Sequence, residues 1–168
     1  MAHAITFKTS WGWVAVRASE KGLTSIDLSP LPRRMVAKPQ QARGGAAATI
    51  LIEAQAQLLA YFEGARREFS VPVDMSTGTS FQRKVWRAII RIPYGRARSY
   101  QWVADRVGGK EYARAVGMAL GANPVPIIVP CHRIIAQDGS LGGFSCGLPV
   151  KRRLLRLEGT LAQLRHAQ

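Results

Sequence analysis

The sequence predicts an α/β protein of two domains. Residues 1–78 read as a small antiparallel sheet with a helix, and residues 79–168 as a mostly helical half with a helix-turn-helix pattern and a short active-site strand. Three observations carry this. Period-two alternation fills the first 28 residues, 3.6-residue spacing takes over from Ala46, and short helices with their own caps and glycine stops follow Ser80. With 168 residues and 47% hydrophobic content, the chain can bury the core of one domain or of two small ones.

The elements follow in order. Ile5-Thr6-Phe7-Lys8-Thr9 alternates apolar and polar, Trp13 to Val16 follows a turn at Gly12, and Leu23 to Leu28 follows Lys21-Gly22, which together predict a meander of short strands. Ser29 to Gly45 is rich in proline, glycine and basic residues and reads as a loop. Ala46 to Phe62 predicts a helix with Ile50, Leu51, Ala54, Leu58, Leu59 and Phe62 on one stripe and Gly64 as its stop. Val71-Pro72-Val73 is a short strand or extended link, and Met75 to Thr79 marks a domain boundary.

Ser80 can cap a helix from Phe81 to Ile90, whose apolar side carries Phe81, Val85, Trp86 and Ile89 and whose other side carries Arg83, Lys84, Arg87 and Arg91. Ser99 can cap a helix from Tyr100 to Val107 that Gly108-Gly109 ends, and a third helix runs from about Glu111 to Leu120. Two short helices joined by a glycine turn form a helix-turn-helix pattern, whose second helix usually enters a DNA groove. Here that helix carries Arg114 with the small residues Ala113, Ala115, Gly117 and Ala119, so its backbone can approach a narrow groove. The apolar run Val125 to Val129 reads as a buried strand, residues 138–147 as a glycine-rich loop without P-loop spacing, and Pro149 opens a last helix, basic at Lys151, Arg152, Arg153 and Arg156.

The net charge of +14 is unevenly placed: from Ser80 onward 15 Lys and Arg face 4 acidic residues, and before it 9 face 6. A pI near 11.1 with that asymmetry favours a polyanionic partner, most simply nucleic acid. No apolar run reaches a membrane span and no signal peptide is visible, so the expectation is an intracellular, cytoplasmic or nucleoid-associated chain without a membrane partner. Two cysteines outside any CxxC and three scattered histidines argue against a zinc site, and an intracellular setting favours resting thiols over a Cys131–Cys146 disulfide.

Pro130-Cys131-His132-Arg133-Ile134 is the stretch that carries chemistry. A lone cysteine is more often apolar filler than nucleophile, but here an imidazole and a guanidinium follow it and Pro126 and Pro130 fix the backbone. The thiolate is the nucleophile, so a thiol needs a base or a positive field. In an extended segment Cys131 and His132 would point to opposite faces; either the chain bends there or a water relays the proton.

From about Thr79 to Gly159 the chain resembles the O6-alkylguanine-DNA alkyltransferases, the methylated-DNA-protein-cysteine methyltransferases. The stretches that carry the resemblance are Phe81-Gln82 through Trp86, Ile92-Pro93-Tyr94-Gly95, Ser99-Tyr100, Arg114-Ala115-Val116-Gly117, Asn123-Pro124, Ile128 to Ile134 and Gly147-Leu148 with Lys151, Leu154 and Leu155. The first half fits the family's ribonuclease-H-like N-terminal domain in outline. The resemblance implies DNA repair by irreversible alkyl transfer from O6-alkylguanine, with O4-alkylthymine a further candidate substrate, in double-stranded DNA to Cys131. One event occurs per molecule, with no cofactor and no metal, and the protein is expected as a monomer.

It also implies roles. Cys131 is the acceptor, His132 takes the thiol proton through a water with Glu158 orienting the imidazole, and Tyr100 donates to a ring nitrogen of the leaving guanine. Arg114 replaces the extruded nucleotide from a minor-groove helix that includes Ala115 and Gly117, and Asn123 braces the turn before the nucleophile. Ser145 approaches O6, and the Ile134 carbonyl reads the exocyclic amine. Two residues depart from the family pattern: Phe144 where Tyr is usual, and Cys146 where Gly is usual, which is expected to narrow the pocket. The rival readings are a lesion-binding relative without transfer, which would lack the cysteine, a cysteine hydrolase, and a DNA-binding regulator with an incidental thiol.

Overall fold

The computed structural model describes residues 3–28 and 44–164, which fall into two compact units, residues 1–77 and 78–168. The expected loop from Ser29 to Gly45 lies outside the described residues except for Gly44 and Gly45.

In the first unit, β1 (His3–Thr9), β2 (Gly12–Ser19) and β3 (Gly22–Asp27) form an antiparallel sheet in the order β1-β2-β3. The register pairs Ile5 with Val16 and Val16 with Ile26, so the alternating apolar residues share one face. Helix α1 (Ala46–Phe62) has the predicted bounds and buries Ile50, Leu51, Ala54, Leu58 and Phe62; it packs on β1 and β2. Val71 to Asp74 is extended and bridges β3, with the Leu23 amide donating to the Pro72 carbonyl and the Asp74 amide to the Leu23 carbonyl, both at 2.8 Å. A Cβ at Gly22 would sit 2.8 Å from the Pro72 oxygen, so the close approach of this segment requires glycine.

The second unit is built on helices α2 (Ser80–Ile89), α3 (Tyr100–Val107), α4 (Ala113–Gly121) and α5 (Leu148–Leu157). The cap of α2 is Thr79, not Ser80: the Thr79 hydroxyl accepts from the Gln82 amide at 3.1 Å while the Gln82 side chain accepts from the Thr79 amide at 2.9 Å. That reciprocal pair satisfies two donors at once, which a cap at Ser80 could not, because Arg83 would then stand at the third helical position. Ser99 caps α3 as expected, accepting from the Trp102 amide at 3.1 Å. The expected helix from Glu111 begins instead as a 3-10 turn, Lys110–Tyr112, before α4. Trp86, buried on α2, donates from Nε1 to the Ala119 carbonyl at 2.8 Å and ties α2 to α4.

The strand expected at Val125 to Val129 does not form. The segment is a buried turn in which the Val129 amide donates to the Val125 carbonyl at 3.0 Å and Ile127 takes a φ of 74°. A continuous apolar run reports burial, not conformation, and Pro124, Pro126 and Pro130 lack the N–H groups a ladder needs. The actual strand, β5 (Ile134–Ile135), follows the cysteine instead of preceding it and pairs in parallel with β4 (Arg98–Ser99). Among the described residues no helix is long and apolar enough to cross a membrane.

Gly78 lies against Trp86, where an added Cβ would clash with the indole ring. Gly78→Ala is expected to destabilise the protein by about 1–3 kcal/mol through overpacking of a buried aromatic, read as a lower urea midpoint with an unchanged m-value.

Candidate active site

Cys131 opens a 3-10 turn, Cys131–Arg133, with Pro130 at its N-terminal end and the Cys131 amide donating to the Val129 carbonyl at 2.8 Å. The chain therefore bends at Cys131, and the extended geometry considered from the sequence does not apply. Asn123 holds this bend from the end of α4: its amide nitrogen donates to the Val129 carbonyl at 2.8 Å, and its oxygen accepts from the Val125 amide at 3.0 Å. Neither cysteine is in a disulfide.

Behind Cys131 is a buried charged network. His132 is completely buried and its Nε2 lies 2.8 Å from Glu158 Oε1. Arg133 grips the same carboxylate with two donors, Nε to Oε2 at 2.9 Å and a terminal nitrogen to Oε1 at 2.8 Å, and its other terminal nitrogen donates to the Ile92 carbonyl at 2.6 Å. Burial alone would raise the Glu158 carboxyl, but the hydrogen bonds from His132 and Arg133 outweigh it and bring it to about 2. Glu158 is thus an anion at neutral pH. Burial holds the His132 imidazole below its ordinary value against the pull of Glu158. With Nε2–H directed at an anionic carboxylate, the neutral tautomer leaves Nδ1 as the acceptor, and Nδ1 is buried without a hydrogen bond to the protein.

In front of Cys131 is a small pocket of about 130 Å³, lined by Tyr100, Gly117, Leu120, Gly121, Cys131, Gly143, Phe144 and Ser145. Burial pushes the Cys131 thiol up to about 11, offset in part by a hydrogen bond from Asn123 and the charge of Lys151, so the resting sulfur is protonated and needs a base. Burial also raises the Tyr100 phenol, which keeps it a donor at neutral pH. The glycine-rich loop closes tightly on that ring: a Cβ at Gly142, whose φ is +67°, would lie 2.7 Å from the Tyr100 hydroxyl.

Two domain descriptions of 6-O-methylguanine DNA methyltransferase match the chain, the ribonuclease-like domain over residues 3–75 and the DNA binding domain over residues 80–160. The methylated-DNA-protein-cysteine methyltransferase of Methanosarcina barkeri is 38% identical over 147 residues, 88% of this chain and 90% of that protein. The chain belongs to the methylated-DNA-protein-cysteine methyltransferase family. The Mycobacterium bovis methyltransferase is 52% identical over 106 residues, and the match spans 64% of that relative's length. The solved O6-methylguanine methyltransferase of Mycobacterium tuberculosis is 40% identical with a TM-score of 0.76, covering 94% of this chain and 93% of that one. Mycobacterium tuberculosis OGT in complex with DNA is 38% identical with a TM-score of 0.77 over the same shares.

The residues that the family resemblance singled out are not all in one place. Cys131, Tyr100, Gly117 and Ser145 converge on the pocket, with His132, Glu158 and Asn123 behind it. Arg114 is exposed on α4, one turn before Gly117, and Ala115 is half-buried; neither lines the pocket. Ile134 lies in β5 and is not among the lining residues, and its carbonyl accepts from Lys151 Nζ at 2.5 Å. Phe144 lines the pocket, whereas Cys146, expected to narrow it, does not; only its neighbour Ser145 does. Among the described residues no group of three His, Cys, Asp or Glu side chains is placed to hold a metal ion.

Two side chains matter more than their sequence context suggests. Lys151, read as part of a basic helix face, is completely buried and joins β5 to the loop by donating to the Ile134 carbonyl and, at 3.1 Å, to the Gly143 carbonyl. Burial lowers its ammonium to about 8. Arg133, read as a positive neighbour of the thiol, has its charge engaged by Glu158. In a family member such as this one, Lys151 and Arg133 are the supports of the pocket wall and of the imidazole.

Because the folded Glu158 carboxyl lies at about 2, below its ordinary 4.5, the network's contribution is complete above pH 4.5 and is lost as the pH falls toward 2. Glu158→Gln leaves Arg133 buried without its anion and is expected to cost about 3–5 kcal/mol at pH 7. Urea titrations should show the gap between variant and wild type narrowing from pH 5 to pH 2.

Proposed function

We propose that this protein repairs DNA by moving the alkyl group of O6-alkylguanine to Cys131, irreversibly and once per molecule. The observation that carries the reading is the Cys131 sulfur lining a pocket with a donor phenol in front of it and a His132–Glu158 pair of fixed tautomer behind it. In the step, the thiol proton passes through a water to His132 Nδ1, and the sulfur attacks the alkyl carbon in line with its bond to O6. The S–C bond forms as the C–O6 bond breaks, and the electron pair stays on guanine. Tyr100 donates to a ring nitrogen of the departing base, so the base does not leave as a bare anion. A thioether has no route back through these groups, which makes the repair stoichiometric. O4-alkylthymine presents the same alkyl ether and is the second candidate substrate.

The partner is double-stranded DNA carrying the lesion. A base can reach Cys131 only after leaving the stack, since the residue is 5% exposed. The α3-turn-α4 pair acts as the helix-turn-helix, with α4 in the minor groove, Arg114 filling the gap in the stack, and Ala115 and Gly117 allowing close approach. Met118, four residues after Arg114 on the same helix and 74% exposed, supplies an apolar contact of the kind that wedges into a widened minor groove. Ser145 in the pocket lining approaches O6, and the Ile134 carbonyl reads the exocyclic amine. Lys110 and Arg114, exposed on the 3-10 turn and on α4, supply the salt-dependent hold on the lesion duplex. A monomer acting in the compartment that holds the DNA is sufficient for all of these steps.

Incubation with a duplex oligonucleotide bearing O6-methylguanine should place one methyl group on Cys131, seen by intact mass and peptide mapping, and Cys131→Ser should take none. An unmodified, folded wild-type protein would refute the proposal. Arg114→Ala should slow transfer from the duplex by about 10-fold or more, corresponding to at least about 1.4 kcal/mol, while leaving transfer from the free modified base unchanged. Equal slowing on both substrates would remove Arg114 from the extrusion step.

A further inference from the structure

A second concave surface lies on the far side of α3 from the alkyl pocket. Lys84, Arg87, Ala88 and Arg91 form one wall, following the exposed side of α2 into the turn after it, and Arg98, Trp102 and Arg106 form the other; the cleft is about 490 Å³. Five cationic side chains converge there and no carboxylate lines it. The Arg106 guanidinium lies 3.5 Å from the centre of the Trp102 ring, and Arg98 5.6 Å from it, so the indole organises two of the charges. Arg87 and Arg91 are exposed, and Lys84 donates to the Val107 carbonyl at 2.9 Å. Trp102 and Tyr100 are two residues apart on one helix, about 200° around it, so a ligand in this cleft cannot be the nucleotide that faces Cys131.

We propose that this cleft binds the phosphodiester backbone of a second DNA segment, distinct from the duplex engaged by α4. Converging like charges repel one another unless an anion joins them, and Lys84 and Arg87 on α2, continued by Arg91 in the turn beyond it, present a row, not a single point. A row suits a strand of phosphates better than a lone anion, and guanidinium groups match phosphate oxygens with paired donors. The protein would thereby hold two DNA segments, or a folded-back length of one, with the lesion pocket on only one of them. This extends the repair reading, and its test has a readout that methyl transfer does not share.

The experiment is a bridging assay on the full chain. Undamaged duplex is immobilised, the protein is bound to it to saturation, and a fluorescent second duplex without a lesion is added at about 50 mM salt, where phosphate contacts are strong. Wild-type protein should retain the second duplex. Arg87→Gln combined with Arg91→Gln should reduce its capture and lower the salt slope of that capture by about 2, one for each lost phosphate contact. The same variant should keep its thermal midpoint and its single-turnover methyl transfer from a short lesion duplex. Absence of capture by wild-type protein, equal capture by the variant, or displacement of the second duplex by millimolar inorganic phosphate would each overturn the proposal. Loss of methyl transfer in parallel with capture would also overturn it, because the two arginines would then belong to the lesion-binding surface. If methyl transfer fails in wild-type protein while capture persists, the repair reading falls and this inference stands.

Discussion

Glu158 is the residue on which the catalytic half of the molecule depends. Glu158 caps the end of α5, and the two groups that bind its carboxylate come from the turn that begins at Cys131. Arg133 carries the link further, to the Ile92 carbonyl just beyond α2. A buried anion is tolerated only with full hydrogen bonding, and here the bidentate guanidinium and the imidazole supply it. The same contacts that make the charge bearable settle which nitrogen of His132 is free to accept a proton. Stability and the tautomer of His132 thus share one set of atoms.

A second constraint shapes the pocket. The glycine-rich loop is long, and glycines confer freedom that would blur a binding site. Lys151 removes that freedom by reaching through the interior to the Gly143 carbonyl and to β5 at once. Gly142 sits so close to the Tyr100 hydroxyl that no side chain fits between them. Gly142 is glycine because the loop passes close to an aromatic donor there, and the loop holds its place because a buried lysine pins it.

Among the described residues of the second unit, three settings of cationic side chains stand out. Arg133 and Lys151 are buried and structural, Arg114 is exposed on the helix beside the pocket, and the group around Trp102 lines a separate cleft. A single net charge describes none of these roles. Burial strips the first two of long-range effect, whereas the exposed ones act on a polyanion over about a Debye length.

Much was determined by the sequence alone. Alternation set the three strands, spacing set α1 to its observed ends, and Ser99 and Gly108 bounded α3, because caps and periodicity are local properties of the chain. The Pro-Cys-His-Arg motif and its companions identified Cys131, His132, Glu158 and Tyr100 as residues to watch. The tertiary structure decided the rest. It turned Val125 to Val129 from a strand into a proline-braced bend, since an apolar run signals burial without choosing a conformation. It took Lys151 off the solvated face of α5 and left Cys146 out of the pocket wall that Phe144 and Ser145 help to form. Each of these depends on which distant segment comes to lie opposite, and partners separated in sequence leave no mark in any local pattern.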